Sequence, residues 1–334
     1  MTIISSEVRK LIKYIETKPL ENKKILVTGA SGLVGNYFSS LFQEILKSSS
    51  AEFELYLSSK SGEFNLIIDK STKIIIGDLC DYSKISELPE FDLIIHAAGY
   101  AQPSKFLGDA RNTIKINTEV TYALIQKVKV GGRFLYFSSS EVYSNLSNPP
   151  FKETQIGMSN TDHPRAAYIE SKRLGETIVH LANKDRKIVA NSVRLALAYG
   201  PGAKQDDSRV MTSIIRQALE NKEIRLMDHG TAWRTYCYIL DVVEMAYAVL
   251  LHGTGQVYNI GGISRVQIKD VAEKVGIETN SIVVYPKDEL LTLKGAPIDV
   301  SLDLDRILGL CGPKKFVEFD DGLRRTIEWQ RSQI

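Results

Sequence analysis

Tyr168 and Lys172, two side chains able to exchange protons, stand four residues apart in a predicted helix. This spacing puts the phenol and the ammonium group on one face of the helix. A nearby cation favours the phenolate and lowers the pKa of a tyrosine from about 10 toward neutral pH. The pair is therefore predicted to take a proton from a sugar hydroxyl as a general base, although the same spacing also occurs on helices by chance.

A second polar cluster follows residues 133–138, which are predicted to form a strand. It contains Ser138, Ser139, Ser140 and Glu141. Ligands of open α/β sheets bind at the carboxyl edge of the strands. A serine at this edge is predicted to orient the hydroxyl being oxidised. Glu141 is either a proton-transfer group or a solvated carboxylate.

A glycine-rich turn follows the first predicted strand, 24–28, and opens a predicted helix. The turn and the first helical residues contain Gly29, Ser31, Gly32, Leu33, Val34 and Gly35. Glycines in this context let backbone amides approach a pyrophosphate at the positive end of a helix. Strand, turn and helix agree, so a dinucleotide-binding loop is preferred over a simple tight turn.

The end of the second predicted strand carries Ser58, Ser59 and Lys60 instead of the acidic residue that favours NAD. Hydroxyl groups and a cation can bind a 2′-phosphate, so these residues favour NADP over NAD or indicate no strong preference between the two. The alternative is that they form a plain exposed loop. Asp78 and Leu79 follow the third strand, where the Asp78 carboxylate can accept a hydrogen bond from the adenine amino group.

The elements around these residues alternate between apolar strands and helices. Strands are predicted at residues 24–28, 54–58, 73–76, 92–97, 133–138 and 188–195. Such apolar strands are usually covered on both faces, so we expect a doubly wound parallel sheet with helices on each side. We predict a helical extension at 1–22, a dinucleotide-binding domain at 23–198, and a smaller C-terminal α/β lobe at 199–334 that mainly binds substrate.

Composition excludes several other classes of protein. The 334 residues include 42 Lys and Arg against 40 Asp and Glu, a formal charge of +2. Nucleic-acid and membrane binding are therefore not expected. Three scattered cysteines and five scattered histidines support neither disulfides nor a metal site. The first residues form no secretory signal, and we expect a cytoplasmic protein.

Taken together, these motifs resemble the extended short-chain dehydrogenase/reductases, the nucleotide-sugar epimerase/dehydratase family. The likeness covers nearly the whole chain. It implies a Rossmann-type fold in which Ser139 positions the hydroxyl, Tyr168 is the base, and Lys172 binds the nicotinamide ribose and tunes Tyr168. It also implies a cofactor, NAD or NADP, and further contacts to it from Ala97, Ala98, Gly99 and Asn117. His96 is interpreted as a hydrogen-bonded strand-end residue rather than a catalytic one.

Within this family the chain looks most like the UDP-glucuronate decarboxylases, through segments 113–118, 140–143, 164–173, 207–210 and 234–238. Their chemistry begins with removal of hydride from C4 of the sugar. The 4-keto group makes a C6 carboxylate part of a β-keto acid, which can lose carbon dioxide. Where 4,6-dehydratases have an Asp, this chain has Ser140, which cannot act as a general acid near neutral pH. Dehydration is therefore disfavoured.

The resemblance implies a nucleotide-sugar substrate held by Ser140, Arg165, Arg209, Arg234 and Lys294. Arg165 and Arg173 either hold a carboxylate or serve as solubilising charges. Arg234 can bind the diphosphate through two parallel hydrogen bonds from its guanidinium. Leu197 stands where the family has an asparagine that contacts the nucleotide, and only Lys294 remains of the family's basic run near the C-terminus. The identities of the nucleotide base and of the sugar therefore stay open.

Several functions remain open at this point. Decarboxylation is slightly favoured over 4-epimerisation by the motifs, whereas Lys60 favours an NADPH-dependent 4-keto reductase. A 4,6-dehydratase is a weaker alternative, and a catalytically silent dinucleotide sensor is the non-enzyme alternative. In the family, helices corresponding to residues 112–129 and 165–182 form a dimer interface, so a homodimer is expected.

Overall fold

The structure is a computed structural model that describes residues 2–49, 51–204, 206–287 and 299–334. Its strands are β1 Lys24–Thr28, β2 Glu54–Ser59, β3 Lys73–Ile76, β4 Phe91–His96, β5 Val128–Ser139, β6 Val189–Leu195, β7 Leu197–Tyr199, β8 Glu223–Arg225, β9 Trp233–Tyr238, β10 Val257–Ile260, β11 Ser264–Gln267 and β12 Ile282–Val284. Its α-helices are α1 Ile3–Ile12, α2 Leu33–Ser48, α3 Tyr82–Ser86, α4 Pro103–Gly108, α5 Ala110–Asn117, α6 Glu119–Ile125, α7 Ala166–Asp185, α8 Val210–Asn221, α9 Ile239–His252, α10 Ile268–Thr279, α11 Asp305–Cys311 and α12 Phe319–Arg331.

The central sheet has seven strands in the order β10-β6-β5-β4-β1-β2-β3, and all its pairs are parallel. Strands β1 and β4 are almost entirely buried because helices cover both faces of the sheet. The order reverses between β1 and β4, where a doubly wound sheet opens a crevice at its carboxyl edge. The predicted Rossmann-type fold is confirmed.

The C-terminal part of the chain forms the smaller lobe. It contains a three-stranded sheet, β11-β9-β7, and a two-stranded sheet, β12-β8. The chain also returns to the main sheet here, because β10 pairs with β6 in register Tyr258↔Val193. The domain boundaries at 22/23 and 198/199 stay predictions.

Two predicted helices are shorter than the sequence patterns suggested. The first helix ends at Ile12, and a 3-10 turn containing Pro19 follows at Lys18–Leu20. The prediction of one continuous helix over 112–129 is wrong. It breaks at Thr118, whose backbone separates α5 from α6, and β5 begins at Val128. In the described residues, no helix combines the length and apolar character needed to cross a bilayer.

Candidate active site

A cavity of about 850 Å³ opens at the carboxyl edge of β1, β2, β4 and β5 and extends to the smaller lobe. Of the residues predicted from the sequence, its walls contain Gly29, Ser31, Gly32, Leu33, Val34, Gly35, Ser58, Lys60, Asp78, Leu79, Ala97, Ala98, Gly99, Ser139, Ser140, Glu141, Arg165, Tyr168, Lys172, Arg209 and Arg234. Ser59 and Asn117 are not on its wall, and Lys294 lies outside the described residues. Nearly all predicted site residues therefore share one cavity.

The glycine turn between β1 and α2 packs so tightly against neighbouring backbone that Gly29 and Gly35 leave no space for a side chain. Gly29 has φ +65°, and a Cβ there would lie 2.6 Å from the Ala98 backbone. A Cβ at Gly35 would lie 2.1 Å from the Gly29 carbonyl oxygen. Gly32 precedes the first residue of α2, so the amino end of this helix faces the cavity. The turn fits a bound pyrophosphate.

Residues at the end of β2 surround the predicted ribose position. Lys60 Nζ lies 2.7 Å from Asp78 Oδ2 and 3.4 Å from the Tyr100 hydroxyl. The buried Ser59 hydroxyl donates to Ser31 Oγ at 3.0 Å and accepts from the Gly62 amide. Ser59 therefore supports the turn from behind instead of lining the cavity, contrary to the expectation that it accepts a phosphate. Lys60 and Ser58 remain on the wall.

Tyr168 and Lys172 lie on the same face of α7, as predicted. Tyr168 hydrogen-bonds with Ser139, while Lys172 Nζ donates to the Phe137 carbonyl at 2.6 Å and lies 5.9 Å from the centre of the Tyr168 ring. Burial raises the pKa of Tyr168 to about 12 and lowers that of Lys172 to about 7. The expectation that Lys172 lowers the pKa of Tyr168 is therefore wrong for the unliganded chain, because desolvation outweighs the charges nearby.

Phe106 on α4 was missed by sequence reasoning. Its ring stacks on that of Tyr168 and also lies 5.4 Å from the Arg165 guanidinium. Phe106 is buried and lines the cavity. The only sequence signal is an apolar residue shortly after the turn at residues 97–99, which does not specify this contact.

Glu141 and Arg165 form an ion pair inside the cavity. One guanidinium nitrogen, Nη1, contacts both carboxylate oxygens, at 2.7 Å and 3.0 Å. Burial raises the pKa of the Glu141 carboxyl despite the opposing effects of Arg165, Arg234 and His163. Arg173 points elsewhere, since its Nη2 donates to the Val142 carbonyl.

Two arginines predicted to bind the substrate, Arg209 and Arg234, lie on the smaller-lobe side of the cavity. Arg209 is held by the buried Asp207 carboxylate through Nε and Nη2, the latter at 2.6 Å. Arg234 is half-buried in β9, and burial lowers its pKa. Asp207 was not predicted as a site residue, although it belongs to the 207–210 motif. It fixes the orientation of the Arg209 fork.

Asn117 and His96 support the cavity from behind. Asn117 Nδ2 donates to Ser171 Oγ at 3.0 Å, while its buried Oδ1 has no partner among the described residues. Both ring nitrogens of His96 are hydrogen-bonded, to Thr28 Oγ1 and to the Ile116 carbonyl. Burial lowers the pKa of His96 to about 3, so it is neutral, in line with the non-catalytic interpretation. In the described ranges no cluster of His, Cys, Asp or Glu is arranged to hold a metal ion.

Known proteins resemble this chain in sequence and in fold. UDP-glucuronic acid decarboxylase 1 of Xenopus tropicalis is 26% identical over 327 residues, covering 97% of this chain and 75% of that protein. UDP-glucuronic acid decarboxylase 6 of Arabidopsis thaliana is 29% identical over 282 residues, covering 83% of this chain and 79% of that protein. The structure of UDP-glucuronic acid 4-epimerase from Bacillus cereus, solved with UDP-glucuronic acid and NAD, superimposes with a TM-score of 0.78 at 23% identity. The match covers 93% of this chain and all of that one, and it shows a shared fold.

The family itself follows from a match to a whole-family profile. The profile of the NAD dependent epimerase/dehydratase family matches residues 25–261, from β1 through β10. The resemblance inferred from the motifs is thereby confirmed, and so is the dependence on NAD or NADP. Since this match covers most of the chain, the protein belongs to the NAD dependent epimerase/dehydratase family of enzymes.

Proposed function

We propose that this enzyme oxidises C4 of a UDP-linked uronic acid and then releases C6 as carbon dioxide. One observation carries the proposal: Ser139, Tyr168 and Lys172 share a cavity with the Glu141–Arg165 pair. The first three residues suit hydride removal from a carbinol. A buried glutamate beside an arginine suits a carboxylated sugar that exchanges a proton at C5. The decarboxylase relatives named above support the same substrate class.

The first half of the reaction removes two hydrogens from C4. The residues of the glycine turn would hold the cofactor, which would supply a hydride acceptor and a positive charge. A positive charge near the phenol would oppose the burial that raises the pKa of Tyr168. Tyr168 then takes the proton of the C4 hydroxyl, Ser139 orients this hydroxyl, and Lys172 keeps a donor near the phenol.

The second half follows from the new ketone. A C6 carboxylate is then β to a carbonyl, so the C5–C6 bond breaks and its electron pair is stabilised as an enolate. Glu141 is the group on the cavity wall that can return a proton to C5. Ser140 lacks the acidity needed to protonate a departing C6 hydroxyl, which argues against dehydration.

A second candidate function is an NADPH-dependent 4-keto-sugar-nucleotide reductase. It is favoured by Lys60, a cation on the cavity wall where NAD-preferring enzymes of this fold carry an acid. A reductase exchanges its cofactor with solution, whereas a decarboxylase or epimerase recycles one bound molecule. Mass spectrometry of nucleotides retained by the purified protein distinguishes the two. Retained NAD supports our proposal, whereas the absence of a retained dinucleotide, with turnover that requires added NADPH, supports the reductase.

The main experiment incubates the purified enzyme with UDP-glucuronic acid and analyses the products. We expect carbon dioxide and a UDP-pentose, and a fall in kcat of about 100-fold or more for Tyr168→Phe. Tyr14→Phe, at an 82% exposed tyrosine, is the matched control and should keep full activity. A UDP-hexuronic acid epimer as product would replace decarboxylation with 4-epimerisation. An unchanged rate for Tyr168→Phe would contradict the role given to Tyr168, and no turnover in the wild type would favour the silent sensor.

We also propose that two copies of the chain pair through the outer faces of α6 and α7. Four side chains on this surface, Tyr82, Tyr122, Leu174 and Leu181, are each more than a third exposed. Tyr82, Tyr122 and Leu174 line a shallow apolar depression that also includes Ala123 and Ile178, and Leu181 lies farther along α7. The dimer implied by the family resemblance buries this surface. Leu174→Asp should therefore give monomers in light scattering, whereas Met227→Asp, at another exposed apolar residue, should not; a wild-type monomer contradicts the proposal.

We also propose a cytoplasmic location. Cys80, Cys237 and Cys311 are free thiols, as suits a reducing compartment. Fractionation of cells producing the full protein tests this, and recovery with an extracellular or membrane fraction would contradict it.

A further inference from the structure

The contact between Arg165 and Glu141 leaves much of the guanidinium unused. Both carboxylate contacts come from Nη1, whereas the strongest arginine–carboxylate pairs use two nitrogens in parallel. The Nη2 and Nε groups of Arg165 have no hydrogen-bond partner among the described residues. Arg165 therefore keeps donors for a second carboxylate.

The position of Arg165 does not depend on Glu141 alone. Its guanidinium packs over the Phe106 ring, and its backbone amide donates to His163 Nδ1 at 3.2 Å. Arg165 also directly precedes α7, the helix that carries Tyr168. If Glu141 moves away, the guanidinium remains in the cavity.

The charges around Glu141 make this pair sensitive to an added anion. Glu141 faces Arg165, Arg234 and His163, and its charge also acts on Tyr168. Since Glu141 is largely buried, it depends on Arg165 and Arg234 to stay ionised. A substrate carboxylate placed on Arg165 would take away part of that support.

We propose that Arg165 is a shared counter-ion, which exchanges Glu141 for the C6 carboxylate of the substrate and thereby selects uronic acids. This inference rests on the proposed function. Before binding, Arg165 pairs with the Glu141 carboxylate. When a uronic acid binds, its carboxylate takes Arg165, and Glu141 picks up a proton from solvent.

The exchange balances charge through the reaction. After oxidation at C4 by the bound cofactor, the C5–C6 bond breaks and the substrate carboxylate leaves as neutral carbon dioxide. Its electron pair passes to C5, which takes the proton of Glu141. Glu141 becomes a carboxylate again and returns to Arg165. One negative charge therefore stays beside Arg165 throughout. When the bound sugar has no carboxylate, Glu141 stays paired with Arg165 and has no proton to donate.

Equilibrium binding to the cofactor-loaded Tyr168→Phe protein tests the exchange, because this variant holds its ligands without turning them over. The other substitutions are added to this background. Calorimetry with UDP-glucuronic acid and with UDP-glucose, in buffers of different ionisation enthalpy, measures both affinity and proton uptake. We expect proton uptake with UDP-glucuronic acid only. Arg165→Gln should weaken the binding of UDP-glucuronic acid by about tenfold or more, which is the effect of losing a charge-assisted hydrogen bond. The affinity for UDP-glucose should stay unchanged. Arg186→Gln, at the other end of α7, is the control for loss of a partly buried arginine.

Glu141→Gln gives the decisive contrast. It removes the competitor for Arg165, so UDP-glucuronic acid should bind more tightly and without proton uptake, although product formation is lost. A variant that damages the cavity would weaken both ligands instead. Three results overturn the exchange: equal loss of binding for both ligands in Arg165→Gln, weaker uronic acid binding in Glu141→Gln, or no preference for the uronic acid in the Tyr168→Phe parent. The proposed function fails separately, if the wild-type enzyme releases no carbon dioxide from UDP-glucuronic acid that it binds.

Discussion

The ring of Phe106 lies on the ring of Tyr168, with centroids 4.4 Å apart and planes inclined by 13°. Both side chains are buried, so the plane of the phenol is set by this contact together with its own helix. Aromatic pairs of this kind are worth about 0.5–1.5 kcal/mol beyond their buried area. Phe106 thus holds the proposed base without lending it any polar contact.

Replacing Phe106 by Leu should therefore slow the oxidation step more than it weakens binding. We expect kcat to fall by about tenfold, because small displacements of a reacting group are costly, while the Kd of the cofactor stays within about twofold. A larger primary isotope effect with C4-deuterated substrate would accompany this fall. Leu107→Ala, at an exposed neighbour on α4, serves as control. Equal losses in the two variants would show that Phe106 has no special role.

Lys172 should make the stability of the unliganded protein depend on pH. Burial lowers its pKa from the usual 10.5 to about 7. Between these values the unfolded chain binds a proton that the folded chain lacks, so the free energy of unfolding rises with pH across this window. Below about pH 7 both states are protonated, and this stabilisation is lost.

Chemical denaturation of the wild type and Lys172→Met at several pH values measures the effect. The difference in stability between the two proteins should change by on the order of 3 kcal/mol between pH 7 and 10. Groups other than Lys172 contribute equally to both proteins and cancel. Parallel curves would mean that Lys172 stays charged in the folded chain.

Lys60 should discriminate between the two dinucleotides. Its side chain is 62% exposed at the cavity rim, and its ammonium group pairs with Asp78 and can turn to a 2′-phosphate. Lys60→Ala should raise the Kd of NADP⁺ by about tenfold, the effect of a charge-assisted hydrogen bond, and that of NAD⁺ by less than about twofold. Lys70→Ala, at an exposed lysine, is the control. If the variant binds NADP⁺ and NAD⁺ more weakly to the same extent, Lys60 only supports the loop through its contact with Asp78.

Local sequence patterns were sufficient for most of the fold. The predicted strands at 54–58, 92–97 and 188–195 match β2, β4 and β6 to within one residue at each end. Apolar runs followed by glycine or serine turns depend only on neighbouring residues, so they can be recognised without a structure. The glycine turn before α2 belongs to the same class.

Contacts between distant segments could not be predicted in the same way. Glu141 and Arg165 were both named, but their pairing depends on how α7 packs against the end of β5. The pKa of Tyr168 was predicted in the wrong direction, because its burial is a property of the folded cavity. Phe106 reaches the site through α4, a short helix that no periodic pattern announces.

Glu7 in α1 joins three parts of the molecule at one buried carboxylate. Its oxygens accept hydrogen bonds from the Tyr37 hydroxyl in α2, at 2.7 Å, and from the Tyr238 hydroxyl of β9, at 2.6 Å. Arg325 of α12 completes the set with Nη1 at 3.0 Å. The N-terminal helix therefore connects the helix behind the glycine turn to the smaller lobe.

Removing the Glu7 carboxylate leaves the buried Tyr37 and Tyr238 hydroxyls without this acceptor, whereas Arg325 keeps Asp321 as a partner. Glu7→Ala should lower the free energy of unfolding by about 3 kcal/mol, as measured by urea denaturation. The Glu7 side chain does not line the cavity, so kcat with saturating cofactor should stay within about twofold. Glu16→Ala removes an exposed carboxylate from the same N-terminal segment and should change stability by less than about 0.5 kcal/mol. A similarly small effect for Glu7→Ala would mean that the two tyrosines and Arg325 find other partners, and that packing of α1 against α2 alone holds the N-terminal helix.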